Sequence, residues 1–156
     1  MSRKRILGPA LALALPALLL GALGGAVSAD GAVVARGEVN PFATGAGLDI
    51  SGRAQMIRTA AGATIVVLHV EGLAPDTTYG AHVHKQACAD GDADGHYRFD
   101  PTGPATPPNE IWPGFTTNDA GIGDGRAMVD RTAGPSAVSV VVHAPSGAKI
   151  ACADLD

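Results

Sequence analysis

From residue 33 onward, Gly, Pro, Asn and Asp interrupt the chain every eight to twelve positions, and the runs between them are rich in Val, Ile and Thr. β-Branched side chains lose rotamer freedom on a helix but pack well on a pleated surface. Evenly spaced runs of this kind predict an antiparallel sandwich or barrel. Glycine and proline, 21 and 11 of the 156 residues, make up about a fifth of the chain and leave little room for long helices. Strands are expected over residues 33–39, 48–58, 64–71, 79–84, 114–117, 125–130, 137–143 and 149–153. Gly72-Leu73-Ala74-Pro75-Asp76 and Asn118-Asp119-Ala120-Gly121 supply two of the turns.

Between Thr64 and Val70, alternate residues Ile65, Val67 and His69 share one face and Val66, Leu68 and Val70 the other. Both faces are largely apolar, which predicts a central strand. Residues 85–113 break the regular spacing: they hold Asp90, Asp92, Asp94, a cysteine, a histidine and five prolines, but no alternating apolar run. A connection this long inside a compact domain is usually functional or disordered. Trp112 and Phe115, beside the last prolines, are expected to anchor it to the barrel. The chain shows no internal repeat, coiled-coil heptad, phosphate-cradling glycine motif or basic tract.

The first residues read as a targeting segment. Ser2-Arg3-Lys4-Arg5 is a basic head, residues 6–27 are an apolar run broken by Gly8, Pro9, Pro16 and Gly21, and Val27-Ser28-Ala29 is a small-residue cleavage pattern. Residues 1–29 are therefore expected to be a secretory signal peptide and 30–156 the mature domain; an uncleaved membrane anchor is the competing reading. Loss of Arg3, Lys4 and Arg5, with all 15 acidic residues kept, takes the net charge from −4 to −7. Such an acidic domain is no basic nucleic-acid binder. After cleavage it is expected to be secreted or held in the cell envelope, with no membrane segment of its own. Its two cysteines, Cys88 and Cys152, then enter an oxidising compartment, where they allow a single intramolecular bridge.

Four of the five histidines are placed informatively. His82 and His84 stand at i and i+2 of a predicted strand, so both side chains leave the same face. His96 follows in the long connection, and His143 ends the run Val138-Ser139-Val140-Val141-Val142. Four imidazoles from two strands and a loop suit copper or zinc, which favour nitrogen donors over carboxylate alone. His69 sits within an apolar strand and reads as a packed or hydrogen-bonded structural residue. Asp90, Asp92, Asp94 and Gly95 open like a calcium loop, but position 12 would be Pro101 rather than a glutamate, and no helix flanks them.

Gly72-Leu73-Ala74-Pro75, Gly80-Ala81-His82-Val83-His84, Cys88, Gly95-His96, Val141-Val142-His143-Ala144 and Ile150-Ala151-Cys152 resemble the ordered motifs of the copper/zinc superoxide dismutases. The likeness runs from about Val33 to Ala153, and the short spacing from His84 to Cys88 is similar to the exported bacterial branch. The resemblance implies an all-β, eight-stranded antiparallel Greek-key barrel, akin to an immunoglobulin-like sandwich. It also implies a Cys88–Cys152 disulfide and a copper ion held by His82, His84, His96 and His143. In that family the residue at the His96 position also bridges to zinc, and releases copper and carries a proton in the reduced state.

The chain departs from the pattern where zinc would bind. No histidine lies between His96 and His143, so the family's zinc site cannot be built and zinc is not expected. The chain thus resembles the copper-only members, in which a carboxylate holds the imidazole at the His96 position. Glu110 is the candidate for that role, with Asp100 and Asp119 as alternates, because a metal-bound histidine usually needs an oriented partner on its other nitrogen. Two further departures concern activity. Tyr97-Arg98 stands inserted before Phe99-Asp100-Pro101, which raises the expectation of a displaced His96. At the position of the family's anion-guiding arginine stands Lys149, which keeps the charge but not the planar fork.

Three functions follow as expectations. The first is a secreted superoxide dismutase with one copper per chain, superoxide as its small anionic substrate, and His96 and Lys149 as the residues acting on it. The second is a barrel that binds or carries copper without turnover. The third is a zinc hydratase or hydrolase, since His-x-His with a third histidine can hold catalytic zinc.

Overall fold

The computed structural model describes residues 31–156. The leader expected over 1–29 lies outside them. Eight antiparallel strands follow in chain order: β1 (Val33–Pro41), β2 (Ser51–Arg58), β3 (Thr64–Glu71), β4 (Thr78–His84), β5 (Phe115–Thr116), β6 (Gly123–Val129), β7 (Ser139–His143) and β8 (Lys149–Asp154). Among the described residues the one helical element is a 3-10 turn at Ala43–Gly45, and no helix is long and apolar enough to cross a membrane. That turn delays β2, which starts at Ser51 rather than at residue 48.

The strands lie in the order β5-β4-β7-β8-β1-β2-β3-β6. Consecutive β3 and β4 stand apart and pair instead with β6 and β7, the crossing of a Greek key. The expected all-β, eight-stranded antiparallel barrel is therefore what forms, closed except for one seam between β5 and β6. Along that seam a Cβ on Gly123 would fall 2.1 Å from the Phe115 ring, and one on Gly125 would fall 2.0 Å from the Pro113 carbonyl oxygen. Only glycine lets the two edges approach this closely.

Met56, Val66, Leu68, Val83, Ile111, Val140 and Val142 fill the barrel interior. Each such side chain contributes about 1.5–3 kcal/mol relative to an exposed one. β3 is paired on both sides, by β2 and β6, as a central strand must be. Its two apolar faces are not both buried, however: Val66, Leu68 and Val70 point inward, while Val67 is 38% exposed on the outer face. The strand covered on both faces is β7. Val140 and Val142 join the core, while Val141 packs with Ala93 and Cys152 under residues 85–113. The long connection is thus a lid on the outer face of β4, β7 and β8, and it makes a second, smaller interior there.

Candidate metal centre

Alternation along β4 sends Ala81 and Val83 into the core and leaves His82 and His84 on the outer face, beneath the long connection. In the β4–β7 register Gly80 faces His143 and His82 faces Val141, so His143 joins the same face. A register shift between Val142 and His143 sets His143 opposite Lys149 of β8. Bulges of this kind re-aim a side chain. His96 arrives from the connection through a β-bridge to His84, held by Lys85 N–H to the Gly95 carbonyl at 3.1 Å and Tyr97 N–H to the Val83 carbonyl at 2.8 Å.

The expected displacement of His96 does not occur. The inserted pair is absorbed by the fold: Tyr97 is buried, its hydroxyl accepts from Gly134 N–H at 2.9 Å, and Arg98 turns toward Glu110. Ring centroids stand 4.2 Å apart for His82 and His96, 4.8 Å for His82 and His143, and 4.9 Å for His84 and His96. One ring nitrogen from each of the four lies within 4.8 Å of the others.

Hydrogen bonding decides which nitrogen faces inward. His84 Nδ1–H donates to the Ala93 carbonyl, and His143 Nδ1–H donates to the Gly147 carbonyl at 3.1 Å. The Nε2 atoms of both rings are therefore unprotonated in the neutral state, and both are buried with no hydrogen-bond partner. His82 Nδ1 is likewise buried with no hydrogen-bond partner. His96 Nδ1 meets Glu110 Oε2 at 2.7 Å, which leaves its Nε2 for the cluster. Buried polar atoms without partners are rare in folded proteins, and three unpartnered ring nitrogens converging on one point are what a cation would satisfy.

Burial disfavours the imidazolium form and sets the charge state of the cluster. Burial first, and then the neighbouring His96, His143 and His84, push the His82 pKa down from the ordinary 6.5 to about 3. Burial brings His84 down to about 4, opposed by the Ala93 carbonyl and assisted by His96, His143 and Lys149. His143 is lowered for the same leading reason, against the pull of the Gly147 carbonyl. All three are neutral at pH 7, the state that a metal requires of its ligands. The four histidines can therefore hold a metal ion, and an all-imidazole donor set fits copper or zinc better than calcium or magnesium.

No protein-family model matches the chain, and no curated protein matches it.

Glu110 is 1% exposed and accepts three hydrogen bonds: His96 Nδ1 at 2.7 Å and Trp112 Nε1 at 2.7 Å on Oε2, and Arg98 Nε at 3.0 Å on Oε1. Burial pushes its carboxyl upward, but the bonds from Trp112, His96 and Arg98 outweigh this and hold it below the usual range. The alternates lie elsewhere. Asp100 caps its own loop through Thr102, and Asp119 is exposed in the β5–β6 turn.

Trp112 does not anchor the connection as expected. It is 38% exposed, with its ring 5.0 Å from that of His82. The anchor is Phe115, which is buried and stacked on Tyr79 at 5.7 Å. Lys149 Nζ donates to the Asp92 carbonyl at 2.7 Å, and its charge reaches His84 and His143.

Cys88 and Cys152 form the expected disulfide. It ties the start of the connection to β8, and Cys88 N–H donates to Asp154 Oδ1 at 2.7 Å. Asp90, Asp92 and Asp94 are all exposed and do not converge as the histidines do. What this loop supplies is backbone: the carbonyls of Ala93 and Asp92 orient His84 and Lys149. Sequence reasoning missed both carbonyls and the roles of Arg98 and Trp112, since no residue type marks a carbonyl that will face a histidine. His69 takes no part in the cluster; it bonds Asp124 at 2.7 Å and Glu71 at 3.0 Å.

Proposed function

We propose that the chain is an exported, copper-dependent superoxide dismutase with one copper and no zinc, a zinc-less relative of the copper/zinc superoxide dismutases it resembles. The observation that carries this reading is the convergence of four imidazoles, three of which turn buried, unpartnered ring nitrogens toward one another. His82 Nδ1 and the Nε2 atoms of His84, His96 and His143 would hold the ion. Copper bound there would supply alternating one-electron chemistry, by which one superoxide is oxidised to oxygen and a second, with two protons, is reduced to hydrogen peroxide.

The chain's own residues account for the remainder. The Ala93 and Gly147 carbonyls fix the tautomers of His84 and His143. His96, whose side chain is 29% exposed beside the buried Glu110, is the ligand best placed to exchange a proton with solvent. Lys149, opposite His143, is the local cation that would draw an anion past the surrounding negative charge.

A second reading, copper binding without turnover, is favoured by one observation: the Lys149 ammonium is already engaged by the Asp92 carbonyl. Metal analysis of copper-reconstituted protein, paired with a superoxide decay assay, separates the two. The dismutase reading expects one copper per chain and catalytic decay that disappears in His143→Ala. Stoichiometric copper with no turnover selects the carrier, and activity that depends on zinc alone overturns both.

A further inference from the structure

Glu110 is held by more than a histidine needs. Residues 96–99 and 109–112 run beside one another, joined by Phe99 N–H to the Asn109 carbonyl at 3.0 Å, with Val83 N–H bonded to the Ile111 carbonyl at 3.0 Å. Asn109 itself is buried, and its amide donates to the Asp100 and Pro104 carbonyls at 2.8 and 3.0 Å. This local scaffold brings Arg98 and Trp112 to the same carboxylate that meets His96. The Trp112 indole N–H shares Oε2 with His96, and Arg98 occupies Oε1, so rotation of the carboxylate would break at least one bond. A buried carboxylate without compensation is costly, and among the described residues Arg98 is its only cationic side-chain partner apart from the histidine itself.

We propose that Arg98 and Trp112 are positioning residues that lock the Glu110 carboxylate, which in turn fixes the tautomer and tilt of His96 so that Nε2 faces the cluster. In the family the chain resembles, the other ring nitrogen of this histidine faces a second metal ion; here that nitrogen, Nδ1, faces a carboxylate braced by a guanidinium and an indole. The inserted Arg98 is thus part of the device that replaces zinc. Its significance for catalysis rests on the dismutase reading, whereas its effect on His96 does not.

The test is made on metal-free full-length mature protein by long-range proton–nitrogen NMR of the histidine rings at pH 8. Wild type is expected to show His96 as a single Nδ1–H tautomer. Trp112→Phe keeps an aromatic ring but loses the donor, and Arg98→Gln loses the cation. Each is expected to give a mixture of tautomers and to weaken copper binding, measured against a competing chelator, by about 10–100-fold. Arg98→Lys restores the charge without the fork and should recover part of both effects. Unchanged His96 tautomer and copper affinity in Trp112→Phe and Arg98→Gln overturns the proposal. Should Arg98→Gln fail to fold, as judged by its strand circular dichroism, Trp112→Phe alone decides. A wild-type protein that shows the single tautomer and its loss in the variants, yet decomposes no superoxide, upholds the positioning role and refutes the dismutase reading.

Discussion

Among single side chains, the histidines divide by what the second ring nitrogen touches. His84 and His143 use backbone carbonyls, His96 uses a carboxylate, and His69 has an acid on each side. The bonds to Asp124 and Glu71 raise the His69 pKa above 6.5. A raised folded-state value means stability that is fully present below pH 6.5 and is lost as pH rises through the folded pKa. Asp124→Asn should therefore lower the His69 pKa in an NMR titration. It should also cost about 0.2–1 kcal/mol at pH 6, and almost nothing at pH 9, in thermal melts. The shared face of His82 and His84 is legible in the sequence because a strand's two-residue period forces them to one side. Glu110 stood beside Asp100 and Asp119 as a candidate because a carboxylate's partner depends on how residues 85–113 fold, and no periodicity governs that stretch. By sequence alone Tyr97-Arg98 reads as a disruption for the same reason: only in the folded connection does one residue fill the core and the other face Glu110.

Taken element by element, the long connection couples the disulfide to the histidine cluster. Cys88–Cys152 closes a separation of 64 residues, which the chain-entropy account values at about 4 kcal/mol. Cys88→Ser with Cys152→Ser should lower stability toward that figure in urea titrations. It should also weaken metal binding, since the Ala93 carbonyl that orients His84 lies in the loop the bridge holds down. Unchanged metal affinity in the reduced or doubly substituted protein would separate the bridge from the site. The barrel seam gives an independent prediction. Gly123→Ala places a methyl 2.1 Å from the Phe115 ring, and overpacking of this kind costs about 1–3 kcal/mol. Chemical denaturation should show that loss, with the histidine cluster on the other side of β4 little affected. Strand spacing made the eight strands visible in advance. That β7, and not β3, is covered on both faces was not recoverable, because an apolar run does not say whether a lid or solvent covers its second face.

For the molecule as a whole, charge is the governing quantity. The mature chain expected from the sequence carries −7, so the mean field repels an anionic substrate, while Lys149 stands next to His143 as a local exception. On the dismutase reading, raising ionic strength from about 0.01 to 0.15 M, which shortens the Debye length from about 30 to 8 Å, should increase kcat/KM rather than decrease it. Lys149→Gln should lower kcat/KM severalfold at low salt without changing copper content. A wild-type rate that falls steeply with salt would instead show that attraction dominates at the mouth of the site. Fold class, disulfide and the four histidines are legible along the chain, because strand period, turn residues and cysteine number are local properties. Which ring nitrogens face inward, which carboxylate braces His96, and the place of Arg98, Trp112 and two backbone carbonyls beside the cluster emerge from long-range packing alone. Those choices arise from packing an aperiodic segment against the outer face of β4, β7 and β8. There, contact between residues far apart in the chain, rather than residue type, sets the chemistry.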